Sequence, residues 1–242
     1  MKIITILFAF LLISAAGTKS IRQPADPSDM ISYVVDPSAA HICFYWKDEK
    51  GNILGSISNL KAYTERKKEH LLFAMNGGMY KADHSPQGLY IQDGLLLSPM
   101  NTDSGKGNFY VQPNGVFYIK YGPGGSKAAI CKTKDFIHSD KLKYATQSGP
   151  MLVVDSSVNS AFSIGSANLN IRNGVGILPN GHILFAMSKG KVNFYDFARY
   201  FQKMGCKNAL YLDGFVSRMY LPEKAWMQTD GDFGVMIAVT DR

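Results

Sequence analysis

The stretch Ile177-Leu178-Pro179-Asn180-Gly181-His182-Ile183-Leu184-Phe185-Ala186 sets two apolar runs around a Pro-Asn-Gly turn signal. Asn-Gly supplies the positive φ of a tight hairpin, so the two runs are expected to pair as antiparallel strands. The sign recurs upstream. Leu89-Tyr90-Ile91 and Leu95-Leu96-Leu97 flank Asp93-Gly94, and Phe109-Tyr110-Val111 and Val116-Phe117-Tyr118-Ile119 flank Pro113-Asn114-Gly115. Ala40 to Trp46 and Ile53 to Ile57 flank Asp48-Glu49-Lys50-Gly51 as a further candidate hairpin. Repeated hairpins dictate an antiparallel sheet.

Past the opening hairpin, Phe194 to Met204 is the strongest helix of the chain. Asn193 can cap it, Asp196 stands at the third position, and Gly205 fits the stop. Phe194, Phe197, Ala198, Phe201 and Met204 share one face at helical spacing. A strand, Ala209 to Leu212, follows and ends at Asp213-Gly214. The same arrangement occurs earlier. Asn59 to His70 lacks Gly and Pro and reads as a helix, Leu71 to Met75 as a short buried strand, and Asn76-Gly77-Gly78 closes it. Met79-Tyr80 and Met219-Tyr220 follow the two strand ends. Polar residues where buried strands open into loops are common positions for a site. The fold class is α+β: a largely antiparallel or mixed β-sheet core with hairpins and a few packed helices, in a single domain.

The first residues stand apart from that core. Met1-Lys2, the apolar run Ile3 to Ile13 and the small residues Ser14-Ala15-Ala16-Gly17 have the layout of a secretory signal. Residues 1–17 are expected to be removed, 18–32 to form a lead-in segment, and 33–242 to form the folded domain. The apolar run is too short to span a bilayer, and no later stretch is apolar enough for stable membrane insertion. The protein is therefore expected to be periplasmic or secreted. Cys43, Cys131 and Cys206 are odd in number; two of them pairing and three unpaired thiols are both open readings.

The 242-residue chain carries a net charge of +7, one unit of which is Lys2. Arg66-Lys67-Lys68, bounded by Glu65 and Glu69, reads as the solvated face of a helix, so nucleic acid is not an expected partner. A mild positive field suits an anionic substrate. Serine-hydrolase elbow, zinc-protease, Walker and dinucleotide motifs are absent, and the five histidines lack ligand spacing. No cofactor is called for. Gly122-Pro123-Gly124-Gly125 reads as a loop.

Four segments set polar residues among glycine and apolar neighbours: Phe73 to Tyr80, Thr146 to Val153, Ile171 to Gly176, and Tyr211 to Tyr220. The glycines Gly77 and Gly78 let backbone approach a ligand closely. Ser148 lacks an evident histidine partner, which argues against a serine nucleophile. Arg172, if buried, must find an anion or a carbonyl, and its planar fork suits phosphate. Asp213, at the end of a buried strand, can be a base, a nucleophile or a ligand to a cation, although no ligand cluster demands one.

In this order the segments resemble the phosphodiester glycosidase superfamily, and especially a bacterial exported branch of it. The likeness runs through Asn76 to Tyr80, Gln147 to Met151, Arg172 to Gly176, Asn193 to Ala198 and Cys206 to Gly214, and covers about Tyr33 to Val239. One departure stands out: the superfamily's Leu-Asp-Gly-Gly-Gly-Ser is here Leu212-Asp213-Gly214-Phe215-Val216-Ser217. The resemblance implies a hydrolase that cleaves the bond between a sugar C1 and a phosphodiester, acting on a small-molecule or polymeric sugar phosphate. Asp213, Arg172 and Asn76 would be the catalytic set. Gly77, Gly78, Gln147, Ser148, Asn173, Ser217 and Arg218 would line the pocket. A second carboxylate is not evident, since Asp196 can be a cap and Asp93 a turn residue. A non-catalytic glycan- or polyanion-binding domain of the envelope is the alternative.

Overall fold

The computed structural model describes residues 27–214 and 216–241. The expected signal segment 1–17, residues 18–26 of the lead-in, Phe215 and Arg242 lie outside the described residues. In chain order the described elements are β1 (Met30–Val35), β2 (His41–Tyr45), α1 (Ile57–Arg66), β3 (Leu71–Asn76), β4 (Tyr90–Gln92) and β5 (Leu95–Ser98). Next come β6 (Gly115–Gly122), β7 (Gly125–Lys132), β8 (Leu142–Ser148), β9 (Met151–Val154), β10 (Ser157–Val158), β11 (Asn173–Ile177) and β12 (Ile183–Ser188). The last are α2 (Phe194–Lys203), β13 (Ala209–Tyr211), β14 (Met219–Leu221), β15 (Trp226–Met227) and β16 (Met236–Thr240).

The strands form three sheets, ordered β1-β12-β11-β13-β9-β10, β15-β14-β3-β16-β2 and β5-β4-β8-β6-β7. Every pairing among the described strands is antiparallel. A file of aromatic rings stitches the three sheets together. Tyr33 of β1 stacks on Phe73 of β3 at 4.8 Å, Phe73 on Phe185 of β12 at 5.0 Å, and Phe185 meets Phe117 of β6 edge-on at 6.0 Å. Phe117 then reaches Phe44 of β2 at 5.7 Å, and Phe44 stacks on Tyr144 of β8 at 5.1 Å. Such pairs add about 0.5–1.5 kcal/mol each beyond the area they bury, so this file is a main source of sheet-to-sheet cohesion.

The hairpins at Asp93-Gly94 and Asn180-Gly181 form, with Asp93, Gly94 and Gly181 all at positive φ. The expected hairpin around Asn114-Gly115 does not. Asn108–Tyr110 is a 3₁₀ turn, and β6 pairs instead with β7 and β8. Gly105, Gly107 and the donor-less Pro113 break up the run on that side. The run read as a loop, Gly122 to Gly125, is the true hairpin turn, with Gly124 and Gly125 at positive φ. It leads into β7, whose small and polar residues Gly125-Ser126-Lys127-Ala128-Ala129 hide its strand character.

Two boundaries also move. Leu54 N–H donates to the Trp46 carbonyl at 3.0 Å, so the 48–51 turn closes, but Ile57 belongs to α1 rather than to a strand. Ser56 caps that helix, its hydroxyl accepting from Asn59 N–H at 3.2 Å, and the helix ends at Arg66 rather than His70. β1 begins at Met30, inside the expected lead-in, and pairs there with Ser188. α2 follows its sequence pattern: Asn193 accepts from Asp196 N–H at 2.8 Å and Gly205 takes positive φ just past the end. Met204, expected on the buried face, is the C-cap and is exposed. Cys43, Cys131 and Cys206 are unpaired thiols.

Candidate active site

The three sheets meet at one point, and each brings a polar side chain to it. Asn76 is the last residue of β3, Ser148 the last of β8, and Asn173 the first of β11. All three are buried, and all three close on the short irregular segment that leaves β13, Leu212-Asp213. Leu212 N–H donates to the Asn173 carbonyl at 3.2 Å, and the Leu212 carbonyl accepts from Ser148 Oγ at 2.6 Å. Asp213 N–H donates to Asn173 Oδ1 at 3.0 Å, and the Asp213 carbonyl accepts from Asn76 Nδ2 at 2.8 Å and Ser217 Oγ at 3.2 Å. Every backbone polar group of these two residues is thus held. The two asparagines also hold each other, Asn173 Nδ2 donating to Asn76 Oδ1 at 2.9 Å and to the Asn76 carbonyl at 3.0 Å. Asn76 Oδ1 accepts as well from Arg218 N–H at 3.0 Å.

Asp213 itself is half-buried at this corner. Two phenols sense it. Tyr80 is pushed up to about 12, first by burial and then by the carboxylates of Asp213 and Asp232. Tyr211 is also pushed up to about 12 by burial, with Arg172 opposing and Asp213 adding to the rise. Gly214 follows Asp213 because a Cβ there would collide with the Tyr211 hydroxyl and lie 2.7 Å from Tyr211 Cζ.

Arg172, expected to grip a phosphate, is sealed at 0% exposure. Its Nε donates to the Val192 carbonyl at 2.9 Å, Nη2 to the Asn168 carbonyl at 2.9 Å, and Nη1 to the Tyr211 hydroxyl at 3.5 Å. The guanidinium lies 3.6 Å from the centre of the Phe194 ring. Burial lowers its pKa, with the neighbouring Tyr211 acting in the opposite sense. Its positive charge therefore acts from behind Tyr211 rather than from the site surface.

The other expected pocket residues take different places. Gly78 packs against β8, where a Cβ would lie 2.7 Å from the Gln147 carbonyl, and Gly77 N–H donates to the Val235 carbonyl at 2.8 Å. Gln147 is buried, its Oε1 accepting from Leu89 and Asn101 N–H at 3.0 and 2.9 Å, and its Nε2 donating to the Asn101 carbonyl at 2.6 Å. Ser217 stays at the corner. The Arg218 side chain turns outward into a two-pronged pair with Asp230, both contacts 2.8 Å. Asp196 bonds its own cap residue, Asn193, and Asp93 accepts from the Tyr144 hydroxyl at 2.7 Å.

Residues that the sequence reading left without a role cluster around Tyr80, whose phenol feels the Asp213 carboxylate. Tyr80 stacks on His84 with ring centres 5.4 Å apart, and its hydroxyl donates to the Asp232 carbonyl. His84 Nε2 meets Asp232 Oδ1 at 2.6 Å. The repeated Met-Tyr pair after each strand end was the available signal for Tyr80. A hollow of about 300 Å³ opens beside His84, between Leu54, Ser56, Asn59 and Gly231. A larger cavity, about 550 Å³, lies near the start of β3, lined by Tyr33, His41, Leu72, Tyr121 and Lys143, and contains none of the motif residues.

Residues 69–237, the span that carries Asn76, Arg172 and Asp213, match the phosphodiester glycosidase family. The chain belongs to the phosphodiester glycosidase family. Consistent with that membership, it is 36% identical over 217 residues to the uncharacterized Escherichia coli (strain K12) protein YigE, covering 89% of this chain and 84% of that one. The phosphodiester glycosidase fold is seen in the catalytic domain of zebrafish N-acetylglucosamine-1-phosphodiester α-N-acetylglucosaminidase, auto-inhibited by its pro-peptide. The two superpose with a TM-score of 0.61 at 14% identity, over 92% of this chain and 86% of that one. A hypothetical protein from Synechocystis shares the fold with a TM-score of 0.52 at 14% identity, over 88% of this chain and 59% of its own. Among the described residues no helix is long and apolar enough to cross a membrane.

Proposed function

We propose that this protein is an exported hydrolase that cleaves the bond between a sugar C1 and a phosphodiester. The observation that carries the reading is the fully held Leu212-Asp213 backbone at the corner where three sheets meet, which fixes the half-buried Asp213. A reacting group gains most when its supporting shell fixes it before substrate arrives. Family membership supports the reaction class. The layout of residues 1–17 supports export.

In the reaction, Asp213 takes a proton from a water as the water oxygen bonds to C1. The C1–O bond breaks, and its electron pair leaves on the phosphate oxygen. A phosphate monoester is already a weak base, so it departs without a proton donor. That explains how one carboxylate serves where most glycosidases use two. Arg172 acts through Tyr211: its buried charge lowers the cost of gathering anions at the corner, and its hydrogen bond fixes the phenol. Asn76 and Asn173 hold Asp213. Ser217 and Ser148 brace the same turn.

The test is release of free sugar from sugar-1-phosphodiesters and from teichoic-acid-like polymers. Asp213→Asn and Arg172→Ala are each expected to lower turnover by at least about 100-fold, with the Asp213→Asn fold intact by circular dichroism. Wild-type turnover in Asp213→Asn overturns the assignment. Tight binding of the polymers without release would make the protein a glycan- or polyanion-binding domain instead.

A further inference from the structure

Arg172 is sealed, and the Arg218 guanidinium is engaged by the Asp230 carboxylate and the Ser217 carbonyl, so both cations are already partnered. A further group capable of positive charge, His84, lines an open hollow. His84 lies under the Tyr80 ring, and Tyr80 in turn lies within electrostatic reach of Asp213. Asp232 accepts at Nε2, which leaves Nδ1 without a partner among the described residues. A ring held through Nε2 by a carboxylate, once protonated, presents an Nδ1–H donor. The backbone of His84 is fixed as well. It sits at φ 61°, a left-handed conformation uncommon outside glycine, and its N–H donates to the Lys81 carbonyl at 2.8 Å. Gly234 lets the neighbouring loop close on this unit, since a Cβ there would lie 2.9 Å from the His84 carbonyl oxygen.

We propose that His84, oriented by Asp232 and backed by Tyr80, is the phosphate-binding residue of the candidate site, and that the hollow of about 300 Å³ beside it receives the group esterified to that phosphate. The inference rests on the hydrolase reading. It adds a substrate class to that reading: phosphodiesters whose aglycone is small enough to lie between Leu54, Ser56, Asn59 and Gly231, or whose polymer chain threads past them. His84 makes no covalent step. It donates a hydrogen bond to the phosphate oxygen on which the C1–O electron pair accumulates. Asp232 is a positioning residue.

The test compares two substrates of one sugar, a sugar-1-phosphodiester and an aryl glycoside whose leaving group carries no phosphate. His84→Asn is the variant of choice, because Asn tolerates positive φ and keeps the backbone in place. It is expected to lower kcat/KM on the phosphodiester by about 100-fold and on the aryl glycoside by less than about 3-fold. Asp232→Asn is expected to give a smaller loss with the same substrate bias. Equal losses on both substrates overturn the inference. A titration with inorganic phosphate, followed by nuclear magnetic resonance of the histidine rings, reads the subsite without turnover. Shifts at His84 in the wild type, with binding weakened at least about 10-fold in His84→Asn, support it. Unchanged phosphate affinity in the variant overturns it. If the wild type cleaves neither substrate, the hydrolase reading fails, and the phosphate titration alone decides the subsite.

Discussion

Replacing Asn173 by Ala removes three hydrogen bonds at once: two from Nδ2 to Asn76 and one accepted from Asp213 N–H. Asn173 is 0% exposed, so water cannot replace them without opening the corner. At about 0.5–1.5 kcal/mol net for each bond, the loss comes to about 2–4 kcal/mol. With a urea m-value of about 2 kcal/mol/M, the unfolding midpoint should fall by about 1–2 M. Turnover should fall further than stability explains, because the freed Asp213 N–H lets the carboxylate drift, and a displacement of about 1 Å is enough to cost about 100-fold. Asn173→Asp separates hydrogen bonding from packing. It keeps the shape and the acceptor for Asp213 N–H, but sets oxygen against both Asn76 oxygens. It should therefore be at least as damaging as Asn173→Ala at neutral pH. An Asn173→Asp protein with the wild-type midpoint and turnover would refute the idea that these bonds, rather than side-chain volume, hold the site.

Gly78→Ala places a methyl 2.7 Å from the Gln147 carbonyl, a backbone atom with little room to retreat. It should destabilise the protein by about 1–3 kcal/mol in urea melts. Asp196→Ala should cost about 1 kcal/mol through the lost cap interaction with Asn193, while leaving the kcat of folded protein unchanged. A large fall in kcat would instead make Asp196 the missing second carboxylate.

The parallel between Asn76-Gly77 and Asp213-Gly214 was legible because both follow a short apolar strand, and side chains at strand ends have few places to go. Their meeting, a 2.8 Å bond across 137 residues of chain, was legible only as a resemblance between motifs. Asn173 was harder to read. Before a glycine it has the look of a turn residue, yet it opens a strand, and only the register against Met187 buries its amide. Arg172 was read as needing an anion or a carbonyl, and it takes carbonyls, because the 168–172 and 192 backbone segments fold over it. His84 gave no local sign. Its partner Asp232 lies 148 residues away, and neither sits in a periodic segment. The missed hairpin at Gly122–Gly125 has a simpler cause: β7 is poor in branched and aromatic residues and becomes a strand only through pairing with β6.

Irregular backbone buried inside a domain has no ladder to satisfy it, so its N–H and carbonyl groups must be met by side chains. Leu212-Asp213 is such a segment, and its partners come one from each sheet: Ser148, Asn76 and Asn173. The corner therefore exists only once all three sheets have docked, and loosening any one of them misplaces Asp213. The sealed guanidinium adds a second argument for chemistry at this corner. Burying a charge with neutral partners costs several kcal/mol, and an apolar side chain of similar length would fill the same space at less cost. Arg172 recovers part of that cost through the Val192 and Asn168 carbonyls, the Phe194 ring and the Tyr211 phenol, which in turn feels the Asp213 carboxylate. An anionic substrate arriving at the same corner would add to that recovery at the moment its leaving oxygen gains charge.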